Sequence, residues 1–241
     1  MAGETLPLDK DGDAIQEMFS RVAPRYDLLN HLLSGSLDVA WRRRAARSLE
    51  LSADSRVLDL CCGTGDQALA VRKRVPAVVT ASDFCLPMLA LARHKFARTG
   101  APHPAGLAGD TQVLPLAAGS FDAVTVSFGL RNVTDLDRAL EEIARVLRIG
   151  GQAVFLEFAL PRRRVVRSAY QFYFNRILPV VGRLVSHRGS AYRYLPASVG
   201  TFPQRDDFVR RMTKAGFADS TWSDLSAGTV CLYRGQKGAA K

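Results

Sequence analysis

The stretch LDLCCGTGD, residues 58–66, decides the fold of this 241-residue chain. It closes an apolar run, RVLDLCC, whose short length and composition predict a buried strand. It then turns through Gly63 and Gly65 into DQALAVRKRV, which reads as a helix. A strand, a glycine turn and a helix form the unit from which parallel sheets are built, and such sheets bind ligands beyond the carboxyl ends of their strands.

The same alternation continues toward the C-terminus. Further strands are predicted at AVVTASD, AGLAGD, FDAVTVSF and GQAVFLEFALP, and helices at LPMLALARHKFARTG, LDRALEEIARVLRIGG and RDDFVRRMTKAGF. The glycine pair of LDRALEEIARVLRIGG is expected to stop its helix. STWSDLSAGTVCLYRG predicts a closing hairpin. The pattern indicates an α/β fold with a mainly parallel sheet and helices on both faces.

Two segments depart from this alternation. Residues 13–49 read as helices, because apolar side chains recur at helical spacing until Pro24 breaks the run. A second segment, after the fifth strand, reads as inserted helices and a loop. We therefore divide the chain into an N-terminal helical cap, residues 1–50, and a main domain, residues 51–241, with a substrate-side insert at about 162–203.

The positive charge is concentrated in the insert. The formal net charge is +10, and residues 158–205 contain no Asp or Glu but nine Arg. Tyr and Phe are interspersed there, and arginine mixed with aromatic residues suits nucleic acid or an anionic membrane surface. A solvated basic face explains the same pattern and stays open as the alternative.

Cysteine spacing and hydropathy exclude several classes of protein. Cys61, Cys62, Cys85 and Cys231 form neither a disulfide framework nor a C-x-x-C metal motif, so we expect buried free thiols in a reducing cytosol and no metal. No apolar run approaches the ~20 residues of a membrane span. The polar N-terminal segment shows no secretory signal. The predicted location is cytoplasmic.

The glycine turn after the first strand predicts a cofactor site. Its glycines allow close backbone approach, and Asp83, about twenty residues further on at a strand end, is placed to accept both hydroxyls of a ribose. NAD and S-adenosylmethionine both fit this pattern. Asp59, the Gly109–Asp110–Thr111 sequence and the VLRIGGQAVFLEF junction favour S-adenosylmethionine. They indicate a class I S-adenosylmethionine-dependent methyltransferase, with a Rossmann-like, mainly parallel seven-stranded sheet and an antiparallel C-terminal strand.

Further motifs make the resemblance specific. RVAPRYDLLNHLLSGSLDVAWRR, LDLCCGTGD, SFGLRNV with RVLRIGG and LEFALP, and SAYRYLPASVGTFP follow one another in this order. Over nearly its whole length the chain resembles the quinone C-methyltransferases, the UbiE/MenG/COQ5 family. The resemblance implies S-adenosyl-L-methionine-dependent methylation of a reduced quinone ring, converting demethylmenaquinol to menaquinol. The Cys61–Cys62 pair resembles the menaquinone branch, and methylation of the ubiquinone precursor 2-polyprenyl-6-methoxy-1,4-benzoquinol stays an alternative.

Two other functions remain to be separated from this one. An RNA methyltransferase would suit the charge, but it requires stacking aromatics beside the catalytic strand, and FGLRN follows the fourth strand instead. A non-enzymatic protein that binds the cofactor and supports another enzyme is disfavoured by the intact first motif and by Arg131. We therefore expect an enzyme and no nucleic-acid partner.

The resemblance also implies a set of site residues. Those expected at the cofactor are Gly63, Thr64, Gly65, Asp83, Asp110, Thr111 and Ser127. Arg131 is expected to stabilise the phenolate that develops on the ring, directly or through a water, because a nearby positive charge favours a phenol's anion. Asn132 is expected to hold the second ring oxygen. The alternatives are a salt bridge from Arg131 to Asp135 or Asp137, and a cap or turn role for Asn132.

The substrate path is expected on the cap and the insert. Its expected lining residues are Tyr26, Asp27, Tyr192, Tyr194 and Ser198. Tyr26 and Asp27 alternatively serve only packing and capping after Pro24. His31 shows no partner in the sequence and is expected to be structural, and His187 is a weaker candidate for a donor in the substrate loop.

The expected partner is a polyprenyl quinol that resides in the bilayer. Since no membrane span is predicted, the basic insert is expected to rest on anionic headgroups while the ring enters the pocket. This places the protein peripherally at the inner face of the cell membrane. A homodimer is left open.

Overall fold

Seven strands form one sheet, which a computed structural model describes together with its helices over residues 12–99, 104–177 and 190–239. The strands are β1 (Arg56–Leu60), β2 (Val78–Asp83), β3 (Ala105–Ala108), β4 (Phe121–Ser127), β5 (Leu147–Phe158), β6 (Phe217–Leu225) and β7 (Val230–Lys237). Their order is β3-β2-β1-β4-β5-β7-β6. Strands β1 to β5 pair in parallel, and β7 pairs antiparallel with both β5 and β6. The predicted class I methyltransferase fold is confirmed.

The helices fall into a cap, a main set and an insert. They are α1 (Gly12–Val22), α2 (Tyr26–Ser34), α3 (Leu37–Arg47), α4 (Asp66–Arg74), α5 (Leu86–Ala97), α6 (Leu136–Val146), α7 (Arg164–Phe172), α8 (Ser190–Thr201) and α9 (Asp206–Lys214). A 3-10 turn (Ala23–Arg25) joins α1 to α2, with Pro24 ending the first helix as expected. A π-helical turn (Tyr173–Ile177) follows α7.

Helix α6 ends earlier than its glycine pair predicted. It stops at Val146, and Leu147 already pairs with Phe121 of β4, so RIGG belongs to β5. Leu147 is fully buried. The burial of the Leu147 side chain against the sheet determines where α6 ends. The predicted end was based only on the helix-stopping property of glycine.

The two faces of the sheet carry separate apolar cores because strand side chains alternate between them. Leu58 and Leu60 of β1 belong to the core covered by α6 and α9, with Phe208 and Tyr233 at its centre. Val57 belongs to the core on the opposite face, covered by α3, α4 and α5. The carboxyl ends of β1, β2 and β4 therefore emerge between two packed layers, which is a rigid setting for a site.

The N-terminal helices extend over these carboxyl ends. Helix α3 shares the core of the sheet through Trp41, whose indole N–H donates to Ser226 Oγ at 2.8 Å. Ala23 packs with Cys85 and Met88, which fixes the start of α2 beside α5. The predicted division of the chain at residue 50 stays a prediction. No helix in the described ranges is long and apolar enough to cross a membrane.

Candidate active site

The loop after β1 has the sharp backbone that its glycines predicted. Cys61, Gly63 and Gly65 have φ values of 49°, 55° and 85°. A Cβ at Gly65 would lie 2.4 Å from the Phe96 ring, so the close approach of α5 excludes any side chain there. Gly65 thus serves the shape of the turn and the start of α4, and it does not line the cleft formed by the loop.

Asp83 fixes this loop from the end of β2. Its Oδ2 accepts a hydrogen bond from the Gly63 N–H at 2.8 Å, and its Oδ1 accepts one from the Cys85 N–H at 2.8 Å. Burial raises the pKa of Asp83, and these backbone hydrogen bonds partly offset the rise. Each oxygen keeps a second lone pair. The carboxyl group is therefore fixed in orientation and can still accept hydroxyl groups from a ligand.

A cleft of about 90 Å³ lies at the ends of β1, β2 and β4. Five of the seven residues predicted for the cofactor line it: Gly63, Asp83, Asp110, Thr111 and Ser127. Ser127 Oγ is buried with no hydrogen-bond partner within the described residues, so it is available to a ligand. Phe19 and Tyr26 of the cap close the cleft from above.

Thr64 does not line this cleft, contrary to its predicted contact with the cofactor. Its hydroxyl donates to Asp27 Oδ1 at 2.5 Å and accepts from Lys95 Nζ at 3.1 Å. Lys95 also forms ion pairs of 2.6 Å with Asp27 and with Asp66. We call these four residues the cap latch, because they tie helix α2 to the cofactor loop and to α5. Asp27 therefore belongs to the latch, and it lines neither this cleft nor the larger cavity that adjoins it.

Asp59 is buried in β1 beneath the loop. Neither carboxyl oxygen of Asp59 accepts a hydrogen bond of normal geometry from the described residues. The nearby Ala68 backbone N–H lowers the pKa of Asp59, but by less than Arg42 does. Burial raises the pKa of Asp59 to about 8, while the nearby Arg42 opposes that rise. At neutral pH this group is therefore largely protonated in the folded protein.

The adjacent thiol of Cys61 is also held in its neutral form. Cys61 lines the cleft, and its Sγ lies 3.4 Å from Thr111 Oγ1. Burial, with a smaller contribution from the carboxylate of Asp83, raises the pKa of Cys61 to about 12. The four cysteines are free thiols, as the sequence predicted.

A larger, mostly apolar cavity of about 260 Å³ adjoins the cleft. Phe19, Tyr26 and Phe128 form parts of both walls, so the two spaces meet there. The remaining wall comes from α2, α3, the ends of β4 and β5, and the insert. Its aromatic side chains are Trp41, Phe158, Tyr170, Tyr173, Phe174 and Tyr194. We call this space the ring cavity.

Arg131 lies on the wall of the ring cavity rather than on the cofactor cleft. Its Nη1 forms a 2.7 Å ion pair with Glu157, and also donates to the Phe128 carbonyl. The ion pair with Glu157 corrects the alternative that Arg131 pairs with Asp135 or Asp137. Asp135 instead caps α6 by accepting from the Arg138 N–H, and Asp137 pairs with Arg211.

Arg131 keeps its charge in this buried pair. Burial by itself would lower the pKa of Arg131, but Glu157, followed by Tyr26 and Tyr194, outweighs it, so the pKa is raised above the ordinary value. Arg131 Nε is buried without a partner among the described residues. The Arg131 side chain therefore lies on the wall of the ring cavity, keeps one guanidinium N–H without a described partner, and is paired with Glu157.

Asn132 and Tyr194 connect the two spaces. Asn132 lines the cofactor cleft, Tyr194 lines the ring cavity, and the Tyr194 hydroxyl donates to Asn132 Oδ1 at 3.1 Å. Ser198 lines neither space, because its hydroxyl donates within α8 to the Leu195 carbonyl at 3.0 Å. Tyr192 lies in α8 with its side chain outside the described part of the structure, and His187 lies outside the described residues.

Three features of the site were not predicted from the sequence: Glu157, Lys95 and the partner of His31. Glu157 was visible as a lone charge in the apolar strand GQAVFLEF, a pattern that indicates a buried, paired carboxylate. His31 pairs with Asp38, seven positions later, across the turn between α2 and α3. Lys95 gave no signal, because its partners come from helices far apart in the sequence.

Fold and site together define a class I methyltransferase with an apolar cavity beside its cofactor cleft. The sequence profile of the ubiE/COQ5 methyltransferase family matches residues 8–237, and the chain belongs to this family of quinone-biosynthesis C-methyltransferases. This membership also confirms S-adenosyl-L-methionine as the predicted cofactor.

Individual relatives agree with this assignment. The chain is 43% identical over 236 residues to the ubiquinone/menaquinone biosynthesis C-methyltransferase UbiE of Geobacter sulfurreducens, covering 96% of this chain and 91% of that protein. It is 45% identical over 221 residues to the demethylmenaquinone methyltransferase of Thermus thermophilus, covering 91% and 100%.

Solved structures show the same fold at low identity. A SAM-dependent methyltransferase from Thermotoga maritima superposes with a TM-score of 0.65 at 20% identity, covering 92% of this chain and 99% of that chain. A methyltransferase from Haloferax volcanii, solved with the Trm112 activator, gives a TM-score of 0.68 at 17% identity, covering 92% and 98%.

Proposed function

We propose that this protein methylates a ring carbon of a reduced polyprenyl quinone and that its preferred acceptor is demethylmenaquinol, giving menaquinol. The names of the Geobacter and Thermus relatives support a quinone acceptor. The observation that carries the proposal is the ring cavity, an apolar space of about 260 Å³ that meets the cofactor cleft at Phe19, Tyr26 and Phe128. The benzoquinol precursor of ubiquinone is the second candidate, since the name of the Geobacter relative also includes ubiquinone biosynthesis.

The residues of the cleft fit S-adenosyl-L-methionine. Asp83 suits the ribose hydroxyls, Asp110 offers acceptors for an adenine amino group, and the unpartnered Ser127 hydroxyl faces the same space. When bound, this cofactor supplies an electrophilic methyl group on a sulfonium. The protein contributes alignment of that group with the ring, the kind of positioning that accounts for much of an intramolecular rate advantage.

Methylation at carbon requires electron density on the ring. A quinol hydroxyl titrates like a phenol, at about pKa 10 in water, and a cationic hydrogen-bond donor favours its anion. We assign this role to the Arg131 Nε–H, which is buried and unpartnered on the wall of the ring cavity. Because Glu157 balances the charge, Arg131 acts as a directed donor at low dielectric rather than as a free cation.

The aromatic wall keeps water away from the activated ring. Burial raises the pKa of Tyr170 and Tyr194, so both hydroxyls stay protonated and serve as donors. The Tyr194–Asn132 hydrogen bond links the ring cavity to the cofactor cleft and is suited to orient a second ring oxygen. A dry site of this kind strengthens each polar interaction within it.

One assay tests the proposed function. Purified protein receives labelled S-adenosyl-L-methionine with reduced demethylmenaquinone, with the reduced ubiquinone precursor, or with bulk RNA. We expect label in the organic phase with both quinols, with the larger kcat/KM for demethylmenaquinol. Equal or greater label in the benzoquinol would reverse the preference, and label confined to RNA would refute the proposal.

We also propose that the protein reaches its substrate at a lipid surface. The chain has three consecutive arginines at the start of helix α7, Arg162, Arg163 and Arg164. The same helix carries Val165 and Phe172, whose exposed fractions are 83% and 62%. Leu28 and Leu32 of α2, which borders the same cavity, are 60% and 55% exposed. Arginines beside exposed apolar side chains suit an anionic bilayer, with roughly 1 kcal/mol for each charge near the surface.

Sedimentation with vesicles tests this surface. We expect binding to vesicles containing phosphatidylglycerol at low salt, weaker binding at high salt, and little binding to phosphatidylcholine vesicles. Replacement of Val165 and Phe172 by Ser should weaken binding, while Ser at the exposed Val78 on the sheet should leave it unchanged. Binding that ignores lipid charge would count against the proposal.

A further inference from the structure

The ring cavity has a second polar wall, away from the Arg131–Glu157 pair. It is formed by Asp38 and Arg42 of α3 with Ser34 at the end of α2. Asp38 and Arg42 are 4% and 7% exposed, and Arg42 Nε has no hydrogen-bond partner within the described residues. Burying such groups is costly unless they meet a polar partner, so this wall is prepared for a polar part of a ligand.

Asp38 is hydrogen-bonded to a histidine that reaches solvent. The His31 Nδ1 lies 3.0 Å from both carboxyl oxygens of Asp38, and the Ser34 hydroxyl donates to Oδ1 at 2.9 Å. The Asp38 side chain is 5% exposed, whereas the His31 side chain is 39% exposed. The pair therefore spans the distance from the wall of the cavity to bulk water.

The proposed reaction must release a proton from this closed space. Transfer of a methyl cation to a ring carbon forms one carbon–carbon bond, breaks the carbon–sulfur bond of the donor and leaves one proton to be removed for each turnover. Glu157 is committed to Arg131 and does not line the cavity, and burial raises the pKa of Tyr170, Tyr173 and Tyr194. Asp38 is the carboxylate on the described cavity wall.

We propose that Asp38 and His31 form the proton exit of this enzyme, an inference that rests on the proposed function. Asp38 accepts the proton of a quinol hydroxyl. In the resting pair His31 Nδ1–H donates to the Asp38 carboxylate. While Asp38 holds the quinol proton, the imidazole exchanges its own proton through water from Nδ1 to Nε2, so that Nδ1 can accept the proton of Asp38. Release of the Nε2 proton to water restores the resting pair, and the hydrogen of the methylated carbon returns to the ring oxygen, so one proton leaves for each turnover.

The charged groups around the pair are consistent with this path. Arg42 Nε lies 4.0 Å from Asp38 Oδ2, so a positive charge stands beside the carboxyl group. A carboxyl oxygen of Asp66 lies within 4.8 Å of the facing atoms of His31 and Asp38. Asp66 is itself paired with Lys95, so its charge is largely balanced.

Two His31 variants separate proton transfer from a structural role. Glutamine at His31 keeps a hydrogen bond to Asp38 but cannot carry a proton, and alanine leaves space for free imidazole. We expect kcat to fall at least about tenfold in both His31→Gln and His31→Ala. This minimum loss is smaller than the usual contribution of a positioned acid or base. Imidazole should restore His31→Ala in proportion to its concentration. Asp38→Asn should lower kcat without rescue, and KM for S-adenosyl-L-methionine should stay unchanged throughout.

The matched control is His94→Gln on α5, an exposed histidine outside both cavities, which should behave as wild type. A His31→Gln enzyme with wild-type kcat, or a folded His31→Ala enzyme that imidazole does not restore, would overturn the proton exit. Should these variants not fold, single-turnover methyl transfer by the wild type in D2O decides: slowing supports the path, and an unchanged rate overturns it. Absence of quinol methylation by the wild type would instead refute the proposed function.

Discussion

Glu157 compensates the buried charge of Arg131 and holds its guanidinium in position. The Arg131 backbone N–H and side chain both reach Glu157, and the guanidinium lies over the Phe158 ring at 5.3 Å from its centroid. These contacts fix the guanidinium before any ligand arrives. Replacement of one partner alone leaves the other charge buried, with a loss of about 3–5 kcal/mol, so single substitutions mix stability with catalysis.

A double substitution separates the two effects. We expect Arg131→Met with Glu157→Gln to retain most of the stability and the affinity for S-adenosyl-L-methionine, while methylation falls about 100-fold or more, as when one oxyanion donor is removed. Thermal unfolding, calorimetric titration of the cofactor and the labelled-methyl assay measure the three quantities. Undiminished methylation in the double variant would show that the guanidinium has no part in catalysis.

Asp59 makes stability depend on pH. Burial raises its pKa to about 8, above the unfolded value of about 3.9, so the folded protein binds this proton more tightly. Its stabilising contribution is complete below about pH 4 and is lost as the pH rises through about 8. Relative to wild type, Asp59→Asn should therefore gain a few kcal/mol between pH 5 and pH 8.5 in denaturant unfolding.

The control for this prediction is Asp54→Asn, which changes an exposed carboxylate in the preceding turn. Its unfolding free energy should follow that of wild type across the same pH range. A constant difference between Asp59→Asn and wild type from pH 5 to pH 8.5 would show that Asp59 stays ionised in the folded protein.

At the scale of elements, helix α2 is joined to its surroundings by polar contacts at both ends. The cap latch ties Asp27 to Lys95 and Thr64, and the Tyr173 hydroxyl donates to the Leu33 carbonyl at 2.8 Å from the insert. The latch side chains are partly exposed, Lys95 at 26% and Asp27 at 33%. Such contacts hold an element in place without adding much to global stability.

Removal of the latch lysine should loosen the cap selectively. We expect Lys95→Met to lower the global unfolding free energy by only about 1 kcal/mol, yet to speed amide hydrogen exchange in α2 several-fold. Lys73→Met, at an exposed position of α4, is the matched control. Equal exchange rates in α2 of wild type and Lys95→Met would mean that the latch does not restrain the cap.

The elements themselves were largely predictable, because each strand and helix carries its own hydrophobic period. The end of α6 was not, since it depends on the pairing of Leu147 with Phe121, a contact that only the folded sheet creates. The same reason hid the partner of Arg131: Glu157 lies 26 residues away in the sequence and is brought near by the register of β4 and β5. Motifs indicated the cofactor loop, but not which residue faces which cavity.

At the scale of the whole molecule, the cap controls access to the site. The cofactor cleft of about 90 Å³ is small beside the roughly 300 Å³ or more of typical ligand pockets, and Phe19 and Tyr26 form its cover. Loading of the cofactor therefore requires the cap to withdraw from the ends of the strands and to close again. Binding and closure of the cap are expected to be coupled.

Cofactor binding should stabilise the protein and protect the cap together. At a concentration 100 times Kd, S-adenosyl-L-methionine should add about 2.7 kcal/mol to the unfolding free energy and slow exchange in α1 and α2. NAD at the same concentration is the control, and it should change neither quantity. Stabilisation by NAD but not by S-adenosyl-L-methionine would contradict the fit of the cleft.

The Cys61 thiol of the cofactor loop affects how well the enzyme tolerates oxidised quinones. Oxidised quinones add thiolates readily, and a sulfur nucleophile at the mouth of a quinone pocket would be a target for arylation. Because burial raises the pKa of Cys61 to about 12, this sulfur stays a poorly reactive thiol at cellular pH. Cys61 can thus line the cofactor cleft and still resist arylation.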